Sequence, residues 1–261
     1  MNDFNGIPDE IKYIEEPRSV DEMLFGLNLY AHCKKEIDYS FLCHETVNLW
    51  LSTNLGDWEI LKKKGIAYSL VVRGRRLLRA EQLILFKGFL PEAEILLRST
   101  WETLLILGYI LDDPTESRAE KYINFGYKSG WDFKMLTEAM FGDKLYIVYQ
   151  DLSTYAHPSN FGRAKLIYQN NFQFDSIHDY QRAGFLLVNT GNLSVALCEI
   201  ANKIFPPNTQ WIEKHEQIYQ TEIFKRNVEL AEELSEQNNN PMDYLYQWLA
   251  KFNDEFPCAA G

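Results

Sequence analysis

Two short runs in this chain hold side chains able to move protons and grip an anion. The first, EILLRSTWETLLIL (94–107), places Arg98 and Glu102 four residues apart. On a helix that spacing makes them neighbours that can pair. Base before acid is the less favourable order for the helix dipole. Their surroundings are apolar on nearly every face, so the helix is expected to be buried. A buried ion pair loses several kcal/mol per ion in desolvation before attraction offsets it, roughly. Helix stability alone therefore gives little reason to keep these charges.

The second run, YQDLSTYAHP (149–158), spaces Tyr149, Ser153 and His157 at i, i+4 and i+8. On a helix they line one polar stripe. At a helix C-terminus the dipole favours a protonated His157. If the stripe faces Arg98 and Glu102, one place holds a guanidinium, a carboxylate, an imidazole and two hydroxyls. That set suits acid–base chemistry on a phosphodiester or ester, with Arg98 on the phosphate, His157 as acid or base and Glu102 as orienting group. The same set could instead be a hydrogen-bond network fixing two helices together. Ser153 as a nucleophile ranks last, because no oxyanion hole is visible.

Nearly everything after residue 18 repeats apolar residues at helical spacing. The first helical stretch starts after Ser19 and runs to about Leu51, with an interruption expected near Asp38. Others are expected over 58–86, 91–111, 115–140, 144–157, 177–204, 209–236 and 241–252. Pro91 marks a helix start, and the Asp112-Asp113-Pro114 run marks a stop. A long polar and aromatic loop follows Pro158, with a short strand at Ala164–Tyr168. The chain thus reads as all-α: an N-terminal arm (1–18), a helical-bundle core (19–205) and a C-terminal helical appendage (206–261).

Composition excludes several activities. The formal net charge is -11, which argues against generic electrostatic coating of DNA. Four cysteines without a C-x-x-C pair fit a reducing interior, and the protein is expected to be cytoplasmic. The most apolar stretch, Ala93–Leu111, carries Glu94, Arg98 and Glu102, so no membrane span is expected. Nucleotide-binding glycine loops and the G-x-S-x-G elbow are missing. His32, Cys33, Cys43 and His44 resemble a metal set by type, but residues 11 apart on one helix sit roughly 16 Å apart, too far to share one zinc. No metal or cofactor is expected. Arg73, Arg75, Arg76 and Arg79, with Lys62, Lys63 and Lys64, make a basic stretch in an acidic protein. It is either a solvated face or a contact for the phosphates of RNA.

The run LLRSxxE (96–102), then Tyr109-Ile110-Leu111, Asp113-Pro114 and the YxxLSxxxHP run (149–158), resembles a bacterial family known only as a domain of unknown function. The likeness covers roughly Leu90 to Phe161. More distantly, the chain is similar to the HEPN superfamily of up-and-down helical bundles, many of them RNA-cleaving toxins or phage-defence effectors. That resemblance implies a metal-independent endoribonuclease that works as a homodimer, with His157 as its histidine. The HEPN arginine would fall at 150–152, where Gln150, Asp151 and Leu152 stand instead. Arg98 would then supply the charge from another helix. The alternative is a non-catalytic interaction or regulatory bundle built on the same residues.

Overall fold

The computed structural model describes residues 20–53, 58–125, 130–141, 167–168, 171–172, 179–204 and 209–236. The chain is all-α. Its helices are α1 (Val20–His32), α2 (Lys34–Thr53), α3 (Trp58–Leu85), α4 (Leu90–Leu111), α5 (Ser117–Phe125), α6 (Phe133–Phe141), α7 (Tyr180–Ala201), α8 (Thr209–Gln220) and α9 (Glu222–Glu236). A two-residue antiparallel pair, Ile167–Tyr168 with Asn171–Phe172, lies inside the expected long loop.

Local chemistry sets most boundaries. Pro91 opens α4, where a missing N–H costs nothing. After Asp112 closes it, the Asp113 carboxylate accepts hydrogen bonds from the Thr115 and Arg118 backbone N–H groups and from the Thr115 and Ser117 hydroxyls. Those bonds hold the Asp113 carboxyl well below the usual range and start α5. Asp179 caps α7 by accepting from the Arg182 N–H at 2.9 Å. Gly88, at φ 82°, supplies the left-handed residue of the tight turn joining α3 to α4.

Three expected boundaries move. The first long stretch breaks at Cys33, not near Asp38. Hydrogen bonds run on through the break, from the Cys33 N–H to Leu29 and from the Ile37 N–H to Cys33. The Cys33 thiol leans on the Tyr180 carbonyl instead. The helix expected over 115–140 is two, because Gly130 takes φ 78° and Asp132 starts a new one by accepting from the Lys134 N–H. The stretch 209–236 also divides, at Thr221, whose hydroxyl turns back to the Ile218 carbonyl. The stretch expected over 241–252 lies outside the described residues.

Partners fix the helix directions. Ser40 meets Gln82 and Asn48 meets Arg75, so α2 and α3 run antiparallel. Glu81 meets Thr190 and Gly74 meets Leu197, so α3 and α7 are antiparallel too. Cys33, just before α2, touches Gly184 and Tyr39 of α2 touches Gly191, which makes α2 and α7 parallel. Seven residues separate the two glycines, so both face α2. A Cβ at Gly191 would overlap the Tyr39 ring. Phe25, Leu29, Leu78, Leu97, Leu105 and Leu186 sit in the shared core with no exposure. Trp211 of α8 joins that core as well. Among the described residues, α7 alone is long and apolar enough to cross a bilayer, and most of it is buried inside the bundle.

Candidate functional site

Helix α4 carries the first half of the expected site. Its periodicity sends Leu90, Glu94, Leu97, Trp101 and Leu104 inward. Arg98 and Glu102 lie at the edge of that face, and Arg98 Nε donates to Glu102 Oε1 at 3.0 Å. Both side chains keep less than a fifth of their surface exposed. The neighbouring hydroxyls of Ser99, Thr100 and Thr103 turn to the carbonyls one turn earlier in α4. Tyr149, Ser153 and His157, the second half, lie outside the described residues.

A second ion pair escaped the sequence reading. Glu94 is fully buried and accepts from Arg182 Nε of α7 at 2.7 Å. The Arg182 guanidinium also covers the Phe185 ring at 4.7 Å from its centroid. The pair ties α4 to α7 across the core. A signal was present: an acid at a core position of an apolar helix must find a base elsewhere.

The seam between α2 and α3 is also polar. Ser40, His44 and Asn48 recur every fourth residue on α2. Arg75, Arg79 and Gln82 answer them on α3 at 4 and 3. Arg75 Nε donates to Asn48 Oδ1 at 2.7 Å, and Gln82 Nε2 donates to Ser40 Oγ at 2.9 Å. Between them His44 is 4% exposed, and neither ring nitrogen has a hydrogen-bond partner among the described residues. Burial, then the positive charges of Arg75 and Arg79, push its imidazole down to about 4. It is therefore neutral at pH 7. Burial, then Arg75, also lowers the Arg79 guanidinium.

This geometry sorts the basic stretch. Arg73 and Arg76 are exposed, whereas Arg75 and Arg79 are half-buried along the seam. Lys64, whose backbone leaves helical geometry and kinks α3, donates to the Lys203 carbonyl at 3.0 Å. One residue beyond the seam, Glu81 is fully buried against α7. The Thr190 hydroxyl lies 2.5 Å from Glu81 Oε2 and 2.8 Å from the Leu186 carbonyl. A hydroxyl has one proton to give, so a protonated Glu81 that donates to Thr190 satisfies both contacts. Burial pushes that carboxyl up to about 8.

The four residues that resemble a metal set have separate tasks. His32 Nδ1 bonds the Asn28 carbonyl and its ring stacks on Tyr180. Cys33 bonds Tyr180, and Cys43 is buried beside Tyr39. Asn192, the first residue of an N-x-S run, accepts from the Tyr39 hydroxyl at 2.7 Å.

No curated protein and no solved structure matches this chain. A family model does match one part of it, from the kink in α3 through α4 and α5 into α6. That segment contains Arg75, Arg79, Arg98 and Glu102, but not His44. Residues 64–139 are thus similar to a family of unknown function (DUF5677), a likeness that carries no activity with it.

Proposed function

We propose that this bundle is a cytoplasmic, metal-independent enzyme that cleaves RNA, in the manner of HEPN-like toxins and defence effectors. In this reading Arg98 holds the scissile phosphate. His157 takes the proton of the attacking 2′-hydroxyl. The 2′ oxygen bonds to phosphorus, and the 5′ oxygen leaves with a proton from water. The products are a 2′,3′-cyclic phosphate and a 5′-hydroxyl end. Glu102 orients Arg98 or His157, and Ser153 and Tyr149 donate hydrogen bonds to phosphate oxygens. Arg73 and Arg76, the exposed part of the basic stretch, contribute phosphate contacts, and the active form is a homodimer.

The observation that carries this reading is the Arg98–Glu102 pair. It is made in the order that helps a helix least, on a helix otherwise given to apolar packing. Apolar residues would stabilise such a position about as well. A guanidinium fixed by a carboxylate at a partly open edge is a group prepared for an anion.

The test is cleavage of a fluorescent single-stranded RNA in excess chelator. Wild type is expected to cut it, and Arg98→Gln and His157→Ala are expected to lose activity by about a hundredfold or more, as for a lost acid–base group. Equal activity in His157→Ala would remove the catalytic assignment. Light scattering checks the dimer: a monomer mass over a wide concentration range contradicts it.

One observation favours the second reading, a non-catalytic interaction bundle. Glu94–Arg182 is a buried ion pair that joins two helices, so this fold uses such pairs as struts. A chain that neither cuts RNA nor loses stability when Arg98 is replaced would fit neither reading. One that cuts nothing and unfolds on Arg98→Gln fits the second.

A further inference from the structure

With a net charge of -11, this protein has acids to spare for its arginines. Arg98 takes Glu102, Arg182 takes Glu94, Arg118 approaches Asp112 and Arg226 takes Glu229. Among the described arginines that are not exposed, Arg75 and Arg79 are the exceptions. Arg75 gives its Nε to a neutral amide, Asn48. Arg79, half-buried one turn further along, makes no hydrogen bond or ion pair with any described residue. Two guanidiniums thus lie side by side with no carboxylate between them, an arrangement that like-charge repulsion disfavours.

Across the seam stands His44. It is 4% exposed, and both of its ring nitrogens lack a partner among the described residues. Buried polar groups are nearly always hydrogen-bonded, so a fully unmet imidazole calls for an explanation. The two oddities meet in one place: the positive charges felt by His44 are those of Arg75 and Arg79. Unmet donors on α3 thus face an unmet ring on α2, a set that one anion could satisfy together.

We propose that Arg75, Arg79 and His44 form a binding site for a phosphomonoester, held in the seam between α2 and α3. A phosphomonoester carries up to two negative charges and three terminal oxygens. Two guanidiniums match the charges, and two forks with one imidazole match the oxygens. A carboxylate offers one charge and two oxygens, and a phosphodiester one charge and two free oxygens, so each leaves a group of the site unmet. The phosphate can belong to a free nucleotide or to the end of an RNA strand. The site is distinct from Arg98 and Glu102 and does not rest on the cleavage reading. Arg73 and Arg76, exposed on the other side of α3, are left as the surface part of the basic stretch.

Binding is measured by calorimetry on the full chain, with four probes at constant ionic strength: inorganic phosphate, AMP, and one short oligoribonucleotide with either a 5′-phosphate or a 5′-hydroxyl. Uncleavable 2′-O-methyl oligoribonucleotides keep this result apart from any cleavage. Wild type is expected to bind inorganic phosphate. Arg79→Gln and Arg75→Gln are each expected to weaken it about 10- to 100-fold, the loss of a charge-assisted bond. His44→Gln, which keeps the shape and one donor, serves as the third variant and should weaken it less. AMP binding as tightly as the 5′-phosphorylated strand supports the site with a free nucleotide as its ligand. Tight binding of the phosphorylated strand alone supports it with an RNA end. Equal binding of the 5′-hydroxyl strand overturns the monoester assignment. Phosphate binding that is undetectable, or unchanged in both arginine variants, overturns the site.

Discussion

The inner face of α4 and the seam between α2 and α3 handle charge in opposite ways. On α4 every charge at the core is answered: Glu94 by Arg182 across to α7, and Arg98 by Glu102 along the helix. In the seam a half-buried guanidinium and a buried imidazole have no hydrogen-bond partner among the described residues, while Asn48 and Ser40 supply only neutral bonds to Arg75 and Gln82. Both regions lie within one core, although α4 and α7 are more apolar than α2 and α3. Protein interiors enforce pairing because an unmet buried polar group costs about 1–3 kcal/mol, and more when charged. A region that keeps its charges paired is spending them on the fold. A region that tolerates unmet ones is holding them for something else.

The largest effect should come from breaking the strut. Glu94→Leu leaves Arg182 nearly buried and uncompensated, and chemical denaturation should show a loss of about 3–5 kcal/mol. Adding Arg182→Met should recover most of that loss, since a buried pair is often replaceable by apolar packing. If the single change is silent, Glu94 has no structural task and the contrast fails on its paired side.

Glu81 sharpens the contrast through pH. Its folded carboxyl is raised to about 8 from an unfolded value of 4.5. A raised acid favours the folded state below the unfolded value, and that contribution is lost as pH rises toward the folded one. His44 offsets this fall below pH 6.5, so wild type should lose stability between pH 6.5 and 8, by about 2 kcal/mol. Glu81→Gln, which keeps a donor for Thr190, should flatten the curve across that window. His44 works from the other side. Its folded imidazole lies near 4, below its ordinary 6.5. Its contribution is present above pH 6.5 and is lost as pH falls toward 4, so the two groups place maximum stability between them.

A smaller effect with the opposite sign is expected at His44. In His44→Leu an imidazole with two unmet nitrogens gives way to apolar surface of similar volume. Stability at pH 7 should rise by about 1 kcal/mol, read as an upward shift in denaturation midpoint. A loss of that size would mean that the ring satisfies partners in the seam and is structural.

How far the sequence anticipates this depends on whether the signal is local. Pro91 and the Asp112-Asp113-Pro114 run place α4 to within a residue, because breakers act on their immediate neighbours. The break at Cys33 defeats that logic, since no breaker marks it and the contact its thiol makes, with the Tyr180 carbonyl, comes from α7. Arg98 and Glu102 are legible as a pair because four residues separate them. Glu94 and Arg182 are 88 residues apart, and nothing short of the fold names that partner. The seam was within reach. Ser40, His44 and Asn48 keep helical phase, as do Arg75, Arg79 and Gln82. Grouping the arginines by charge, and weighing His44 only beside His32 and the cysteines, hid that phase. His157, Ser153 and Tyr149 rest on spacing and resemblance alone.

The contrast comes down to one arginine. We would measure the unfolding free energy of Arg79→Gln at pH 7 in phosphate-free buffer, with Glu94→Gln as the paired-side reference. If Arg79 is held for a ligand, removing its charge relieves repulsion with Arg75 and leaves no acceptor stranded. Stability should stay within about 0.5 kcal/mol of wild type or rise, while Glu94→Gln falls by 2 kcal/mol or more, roughly. A loss in Arg79→Gln as large as that in Glu94→Gln would show that its charge serves the fold, and would contradict the account.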